Sequence, residues 1–213
     1  MRTAFLLLVA VGVLGATASA QTVYQIPFAS SGNTIELAVE NTSSISTAVG
    51  VEAGNIPGWL HFTSTSSRLD AVGPGNQSSA VFTFSVDKTA PVSHQHTLRF
   101  TVTASSGQSW TKEITLSVNP PETFELSQNY PNPFNPTTAI PFQLPKEARV
   151  RITIFNLLGQ EIAALADGLF EPGYHEVVWN AERCSSGMYV YQLEARDGVD
   201  HTTVSRKTLV LVK

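Results

Sequence analysis

Apolar and polar residues alternate one by one in three separate runs, and this pattern restricts the chain to pleated strands. In Val81-Phe82-Thr83-Phe84-Ser85-Val86, the residues Phe82, Phe84 and Val86 share one face. Leu98, Phe100 and Val102 alternate with Arg99, Thr101 and Thr103, and Ile114, Leu116 and Val118 alternate with Glu113, Thr115 and Ser117. A period of two places successive side chains on opposite faces, whereas an amphipathic helix needs apolar residues every three to four. Each run therefore buries one face and wets the other, as antiparallel sheets do. Weaker runs at 23–28, 34–39, 48–52 and 59–63 are broken by Ser-Gly-Asn and Gly-Pro-Gly turn signals. Six or seven short strands in roughly 100 residues predict an immunoglobulin-like sandwich.

Pro120 and Pro121 end the strand at Val118 and make residues 120–122 a short, stiff connector. Residues 123–213 then repeat the plan, with strands expected at 138–144, 148–156, 174–179, 187–195 and 206–212. Val150, Ile152 and Ile154 alternate with Arg149, Arg151 and Thr153; Glu171-Pro172-Gly173 and Asp197-Gly198 are turn signals. The fold class expected is all-β: two tandem immunoglobulin-like sandwiches, 21–119 and 123–213. Between the strands lies Asn129-Tyr130-Pro131-Asn132-Pro133-Phe134-Asn135-Pro136-Thr137-Thr138. Proline fixes φ, lacks a backbone donor and forces the preceding residue into extended geometry. The run is neither helix nor central strand, and is expected to be a rigid, solvent-facing loop.

Residues 1–20 are a separate object. Arg2 supplies a positive start, Phe5 to Leu14 an apolar stretch, and Ala18-Ser19-Ala20 a small-residue cleavage site. Roughly ten apolar residues are too few to span a bilayer, which needs about 20. The segment reads as a signal peptide, and the mature chain is expected to start at Gln21. Residue 21 is not cysteine, which argues against a lipid-modified N-terminus.

Composition narrows the function classes. Charged residues are 14% of the chain against a typical value of about 25%, with Ser and Thr common instead, a usage found in secreted β-proteins. The formal net charge of −4 and the absence of a basic cluster argue against nucleic acid as a partner. Cys184 is the single cysteine, so neither an internal disulfide nor a thiolate metal site is expected. It reads as a packed thiol. No nucleophile elbow, zinc-protease helix, phosphate loop or dinucleotide fingerprint occurs, so no catalytic residue and no cofactor is assigned. His94 and His96 share a face at a spacing that suits a transition metal, with Asp87 as a neighbour in space; solvated turn residues are the plainer reading. Glu36 and Glu40 share a strand face, but a small sandwich offers no cleft for a catalytic carboxylate pair.

Five ordered motifs in 123–213 resemble the C-terminal sorting domain, type A, of proteins exported by the type IX (Por) secretion system. They are Phe124-Glu125-Leu126 with Gln128 to Pro136; Arg151-Ile152-Thr153-Ile154-Phe155-Asn156-Leu157-Leu158-Gly159-Gln160-Glu161; Gly173-Tyr174-His175 through Trp179-Asn180; Ser186 to Leu193; and Arg206 to Lys213. The third and fourth are also similar to the Ig-like domain of the flagellar hook-capping protein. The resemblance implies passage across the outer membrane by the secretion machinery. In many relatives it also implies removal of this domain and attachment of the cargo to surface lipopolysaccharide. It implies a signal recognised as a folded surface, with Tyr130, Pro131, Asn132, Pro133, Phe134, Gly159, Lys207 and Lys213 as its expected residues. A rigid interdomain brace is the alternative for the proline run. Gly159 stands where the chain must reverse, and glycine accepts positive φ there.

Residues 21–119 loosely resemble the NEW3 or BACON type of Ig-like accessory domain, on Ile56-Pro57-Gly58-Trp59-Leu60, Val81 to Val86 and Leu98 to Ala104. Trp59 and Trp110 each read as a core plug or as a glycan-stacking platform. The function expected is a non-catalytic secreted or cell-surface protein delivered by its C-terminal domain. A carbohydrate-binding or adhesin module and a structural subunit of an extracytoplasmic assembly are the alternatives.

Overall fold

A computed structural model of the chain describes residues 22–198 and 202–213, together with the backbone of 4–11. The chain divides between Asn119 and Pro120 into two compact units. All regular structure among the described residues is β-strand, in sheets that pair into sandwiches.

The first unit contains β1 (Ala4–Val11), β2 (Val23–Ile26), β3 (Asn33–Asn41), β4 (Thr47–Gly54), β5 (Leu60–Phe62), β6 (Ser66–Val72), β7 (Gln77–Val86), β8 (Gln95–Ala104) and β9 (Ser109–Val118). One sheet has the order β1-β3-β7-β5 and the other β2-β9-β8-β4-β6. The alternating runs supply the core: Phe82, Phe84 and Val86 from β7, Leu98, Phe100 and Val102 from β8, and Ile114, Leu116 and Val118 from β9 are all buried. Phe82 and Phe100 meet across the two sheets with ring centroids 5.1 Å apart. Strand β1 falls within the segment expected to be a signal peptide. Its backbone runs parallel to β3 over eight paired positions, Ala4 beside Thr34 through Val11 beside Asn41. The expected cleavage site at 18–20 lies outside the described residues.

The second unit contains β10 (Glu125–Leu126), β11 (Thr137–Leu144), β12 (Ala148–Phe155), β13 (Glu161–Phe170), β14 (Gly173–Asn180), β15 (Gly187–Arg196) and β16 (Thr202–Leu211). Its sheets have the orders β10-β11-β14 and β13-β12-β15-β16. Val150, Ile152 and Ile154 lie beside Tyr191, Leu193, Leu209 and Leu211 in one sheet and join Phe142 and Trp179 of the other in a single buried cluster. Strands β15 and β16 pair in register from Gly187–Leu211 to Arg196–Thr202, a hairpin that turns at the Asp197-Gly198 signal; residues 199–201 of its turn lie outside the described residues.

Four strands fall outside the expected runs, β1, β6, β10 and β13, and all are sheet edges. β6 reads Ser-Ser-Arg-Leu-Asp-Ala-Val and β13 reads Glu-Ile-Ala-Ala-Leu-Ala-Asp-Gly-Leu-Phe. Ala, Asp, Gly and Ser are poor strand formers. The β12–β13 register also slips twice, between Ile152 and Thr153 and between Ile154 and Phe155. Such bulges shift the inward-facing set by one residue and erase a strict period of two.

Candidate functional site

The proline run bridges the two sheets of the second unit, leaving β10, touching β16 and returning to β11 beside β10. Tyr130 is bonded to β11, its N–H donating to the Ala139 carbonyl at 2.9 Å and its carbonyl accepting from Ala139 N at 3.0 Å. Four residues on, Phe134 N–H donates to the Val210 carbonyl at 2.9 Å and Val212 N–H donates to the Phe134 carbonyl at 3.0 Å, both at β16. Between these anchors the Tyr130–Pro131 and Asn132–Pro133 peptide bonds are cis. Proline suits such a crossing, because a residue between two sheets has no ladder to donate to.

The expectation of a solvent-facing loop is met by part of the run only. Tyr130 is 80% exposed, and Pro131, Asn132 and Pro133 are exposed. Asn129 and Phe134 are buried. Phe134 packs on Trp179 at a centroid distance of 5.4 Å, and Trp179 on Tyr189 at 5.4 Å, so this phenyl ring belongs to the core. Removing the Phe134 contact surface therefore changes the fold as well as any surface around it.

Side chains finish the crossing. Asn129 Nδ2 donates to the Pro131 carbonyl at 3.1 Å and to Thr138 Oγ1 at 2.9 Å, and Thr138 Oγ1 donates to the same carbonyl at 2.8 Å. Asn132 Oδ1 accepts from Val210 N at 2.9 Å, and Gln128 Nε2 donates to the Thr208 carbonyl at 2.7 Å. Gln128, Asn132 and Phe134 thus line the outer edge of β16. The opening and closing motifs, about 80 positions apart in sequence, form one piece of surface.

Tyr191 holds this piece from beneath. Its hydroxyl donates to the Ser127 carbonyl at 2.8 Å and accepts from Asn129 N–H at 3.0 Å, while its ring is fully buried. Burial pushes the phenol up to about 12, opposed by the hydrogen bond from Asn129. The sequence offers Trp179 and Tyr189 or Tyr191 as core aromatics, and all three are buried; what it does not give is the pair of backbone partners that the Tyr191 hydroxyl meets. Because the folded pKa lies above the unfolded value, the unfolded state loses its proton first. Tyr191 therefore contributes stability below about pH 10 that is lost between about pH 10 and 12, by up to about 3 kcal/mol. Tyr191→Phe leaves the Asn129 N–H without its acceptor, at an expected cost of about 1–3 kcal/mol. Denaturant melts at pH 7.5 and 11 should show that loss, together with a flatter alkaline limb.

The other expected residues are scattered differently. Gly159 has φ of +77°, a left-handed conformation that glycine takes without strain, and its N–H donates to the Asn156 carbonyl at 3.0 Å. Asn156 Oδ1 accepts from the N–H groups of Leu158 and Gln160, each at 3.0 Å. This turn leaves Leu157 and Leu158 exposed at its tip. Lys213 donates from Nζ to the carbonyls of Glu182 and Cys184, and its N–H to Ser186 Oγ at 3.1 Å. Phe155 pairs with Val190, and Gly187 with Leu211. The Gly159 turn, Phe134 and Lys213 therefore share one end of the β13-β12-β15-β16 sheet. Lys207 pairs with Tyr191, six residues or about 20 Å back along the chain from Lys213, and stands apart from that end. Cys184 is half-buried against the core.

In the first unit the candidate ligands do not converge. His94 Nδ1 bonds the Val92 carbonyl and His96 Nε2 the Asn55 carbonyl, both at 2.9 Å. Asp87 accepts from Thr89 N–H and Oγ1 at 2.8 Å, and these bonds hold its carboxyl below the usual range. Among the described residues no three His, Cys, Asp or Glu side chains gather as a metal site. Glu36 and Glu40 are four residues apart on β3, about 13 Å, beyond the separation of a glycosidase pair. Trp59 and Trp110 both pack against the core. Trp59 meets His96 edge-on at 5.8 Å, whereas Trp110 pairs with Val102. His96 and Val102 are six residues apart on β8, about 20 Å, so the two indoles make no common platform. A broad groove of about 640 Å³ lies over β4, β6 and β8, lined by Gly50, Glu52, Arg68, Thr101 and Thr103 among others, with no aromatic ring in its wall.

Residues 128–210 match the family model of the secretion system C-terminal sorting domain. No match to a curated protein sequence was found. Among solved structures the chain resembles dimeric latent PorU from Porphyromonas gingivalis at 14% identity and a TM-score of 0.36, covering 92% of this chain and 19% of that one. It also resembles the calcium binding domain CBD12 of CALX1.1 (13%, 0.38, 84% and 79%) and the CupB2 chaperone of Pseudomonas aeruginosa (12%, 0.29, 89% and 97%). A sorting domain of this kind marks proteins exported across the outer membrane to the cell surface or the extracellular space. The family match spans the same two motifs that the fold joins at the β16 edge, so residues 128–210 of the second unit are similar to the type IX secretion C-terminal sorting domain.

Proposed function

We propose that the protein is a non-catalytic secreted or surface-displayed module, with the second unit as its address and the first unit as the delivered part. The observation that carries this reading is the union of Gln128, Asn132 and Phe134 with Thr208–Val212. A signal built this way exists only in the folded domain, so the secretion machinery reads a surface, with Tyr130, Pro131, Asn132 and Pro133 as its exposed part and the Gly159 turn and Lys213 at the same end. On this reading a leader of residues 1–20 directs inner-membrane passage and is removed after Ala20. The sorting domain is then cut off near residues 119–130, and the first unit is joined to surface lipopolysaccharide.

Intact mass and cell fraction of the protein in its native host test this. The expected product is a surface or medium species that begins at Gln21 and ends near residues 119–130, carrying added heterogeneous mass where lipopolysaccharide is attached. A full-length species confined to the periplasm would overturn the export reading.

A further inference from the structure

The first unit offers an open strand edge once residues 1–20 are gone. In the sheet β1-β3-β7-β5 the outermost strand belongs to the leader, so its removal exposes β3 along nine residues. Alternate residues of an edge strand turn both N–H and C=O outward, which makes a long regular edge a template for another strand. Several other edges among the described residues are blunted, although β14 presents an unslipped edge of eight residues. β5 has three residues, β2 has four, β13 slips register twice and β16 is lined by Gln128, Asn132 and Phe134. β3 has no proline or glycine, and pairs with β7 without a slip from Asn33–Phe84 to Glu40–Gln77. Ile35, Leu37 and Val39 turn into the core, while the half-buried Glu36 and Glu40 lie on the opposite face.

We propose that the β3 edge of the processed protein is a strand-acceptor site for an extended segment of another polypeptide, running parallel to β3. The seat is the one Ala4–Val11 takes in this structure, where the register sets Phe5, Leu7 and Val9 beside Ile35, Leu37 and Val39. The same register sets Leu6 beside Glu36 and Ala10 beside Glu40. An occupant with apolar residues at the first set of positions and Lys or Arg at the second extends the sandwich core and neutralises both carboxylates. The partner chemistry is therefore an amphipathic strand, apolar on one face and basic on the other. The inference rests on leader removal, which N-terminal sequencing of the native protein checks separately.

The probe is the peptide Ala-Phe-Lys-Leu-Leu-Val-Lys-Val, with a second peptide carrying Glu at both Lys positions. Calorimetry and hydrogen exchange are run on chain 21–213 and on full chain 1–213. The Lys peptide is expected to bind chain 21–213 one to one, protecting amides of 34–40, and the Glu peptide about tenfold more weakly at low salt, a difference that shrinks as salt screens the charges. Full chain 1–213 carries its own strand at an effective concentration near millimolar and should bind about 100-fold more weakly. Full chain with Leu7→Pro and Val9→Pro, in which β1 cannot pair, should regain the affinity, and it replaces chain 21–213 if that chain does not fold. No saturable binding to either freed edge, equal binding with β1 in place, or no preference between the Lys and Glu peptides overturns the proposal. So does a stable dimer of chain 21–213 in which β3 pairs with β3.

Discussion

Deleting Thr208–Lys213 is expected to unfold the second unit and to abolish export. The segment contributes Leu209 and Leu211, both fully buried, to the second core. Losing a buried leucine costs about 2–5 kcal/mol even when the backbone remains. Two such losses rival the whole stability of a small domain, about 5–15 kcal/mol. The deletion also strips the partners of Gln128, Asn132 and Phe134 from the edge of the opening motif, and the Lys213 bonds from the 182–186 loop. Circular dichroism of the truncated chain should show the second transition gone, and cell fractionation should find the protein retained inside the outer membrane. A truncated protein exported at the normal level would sink the sorting assignment.

Phe134→Ala and Tyr130→Ala should part company, although the two residues stand four apart in one motif. Phe134 is a core ring against Trp179, and its truncation should destabilise the second unit by about 3–5 kcal/mol. Tyr130 is almost wholly in water, and its truncation should move stability by less than about 0.5 kcal/mol. Tyr130 nevertheless displays a large aromatic surface beside the exposed Pro131, Asn132 and Pro133, the kind of side chain that anchors recognition. Export of Tyr130→Ala should therefore fall at least tenfold while its thermal melt is unchanged. Normal export of a normally folded Tyr130→Ala protein would make the run a brace between strands and would move recognition to the Gly159 turn and Lys213. Phe134→Leu, which keeps most of the buried volume, should recover both stability and export relative to Phe134→Ala.

The strands that alternate cleanly were legible from the chain because their pattern reports the sheet face directly. Phe82, Phe100 and Leu116 are buried where a period of two places them. The edge strands β6 and β13 were not, since an edge in water needs no apolar alternation and β13 is bulged. Individual residues in the proline run were legible as types and misread in orientation. Proline at 131, 133 and 136 fixed an irregular backbone, and nothing local distinguishes a phenylalanine in that run that faces water from one that faces Trp179.

Local backbone choices are written directly in the chain. Alternation made strands, and prolines and glycines placed the crossings and turns. These follow from steric and solvation preferences that act over a few residues. Which distant pieces become neighbours depends instead on how the sheets pack. Asn129 reaches Tyr191 across 62 residues, and Asn132 reaches Val210 across 78. Both contacts satisfy polar groups that strand switching would otherwise leave unpaired, and that demand arises only once two sheets have packed. The β3 edge is of the same kind. The sequence of β3 shows a good strand, and its place in the sheet shows that the strand beside it is Ala4–Val11.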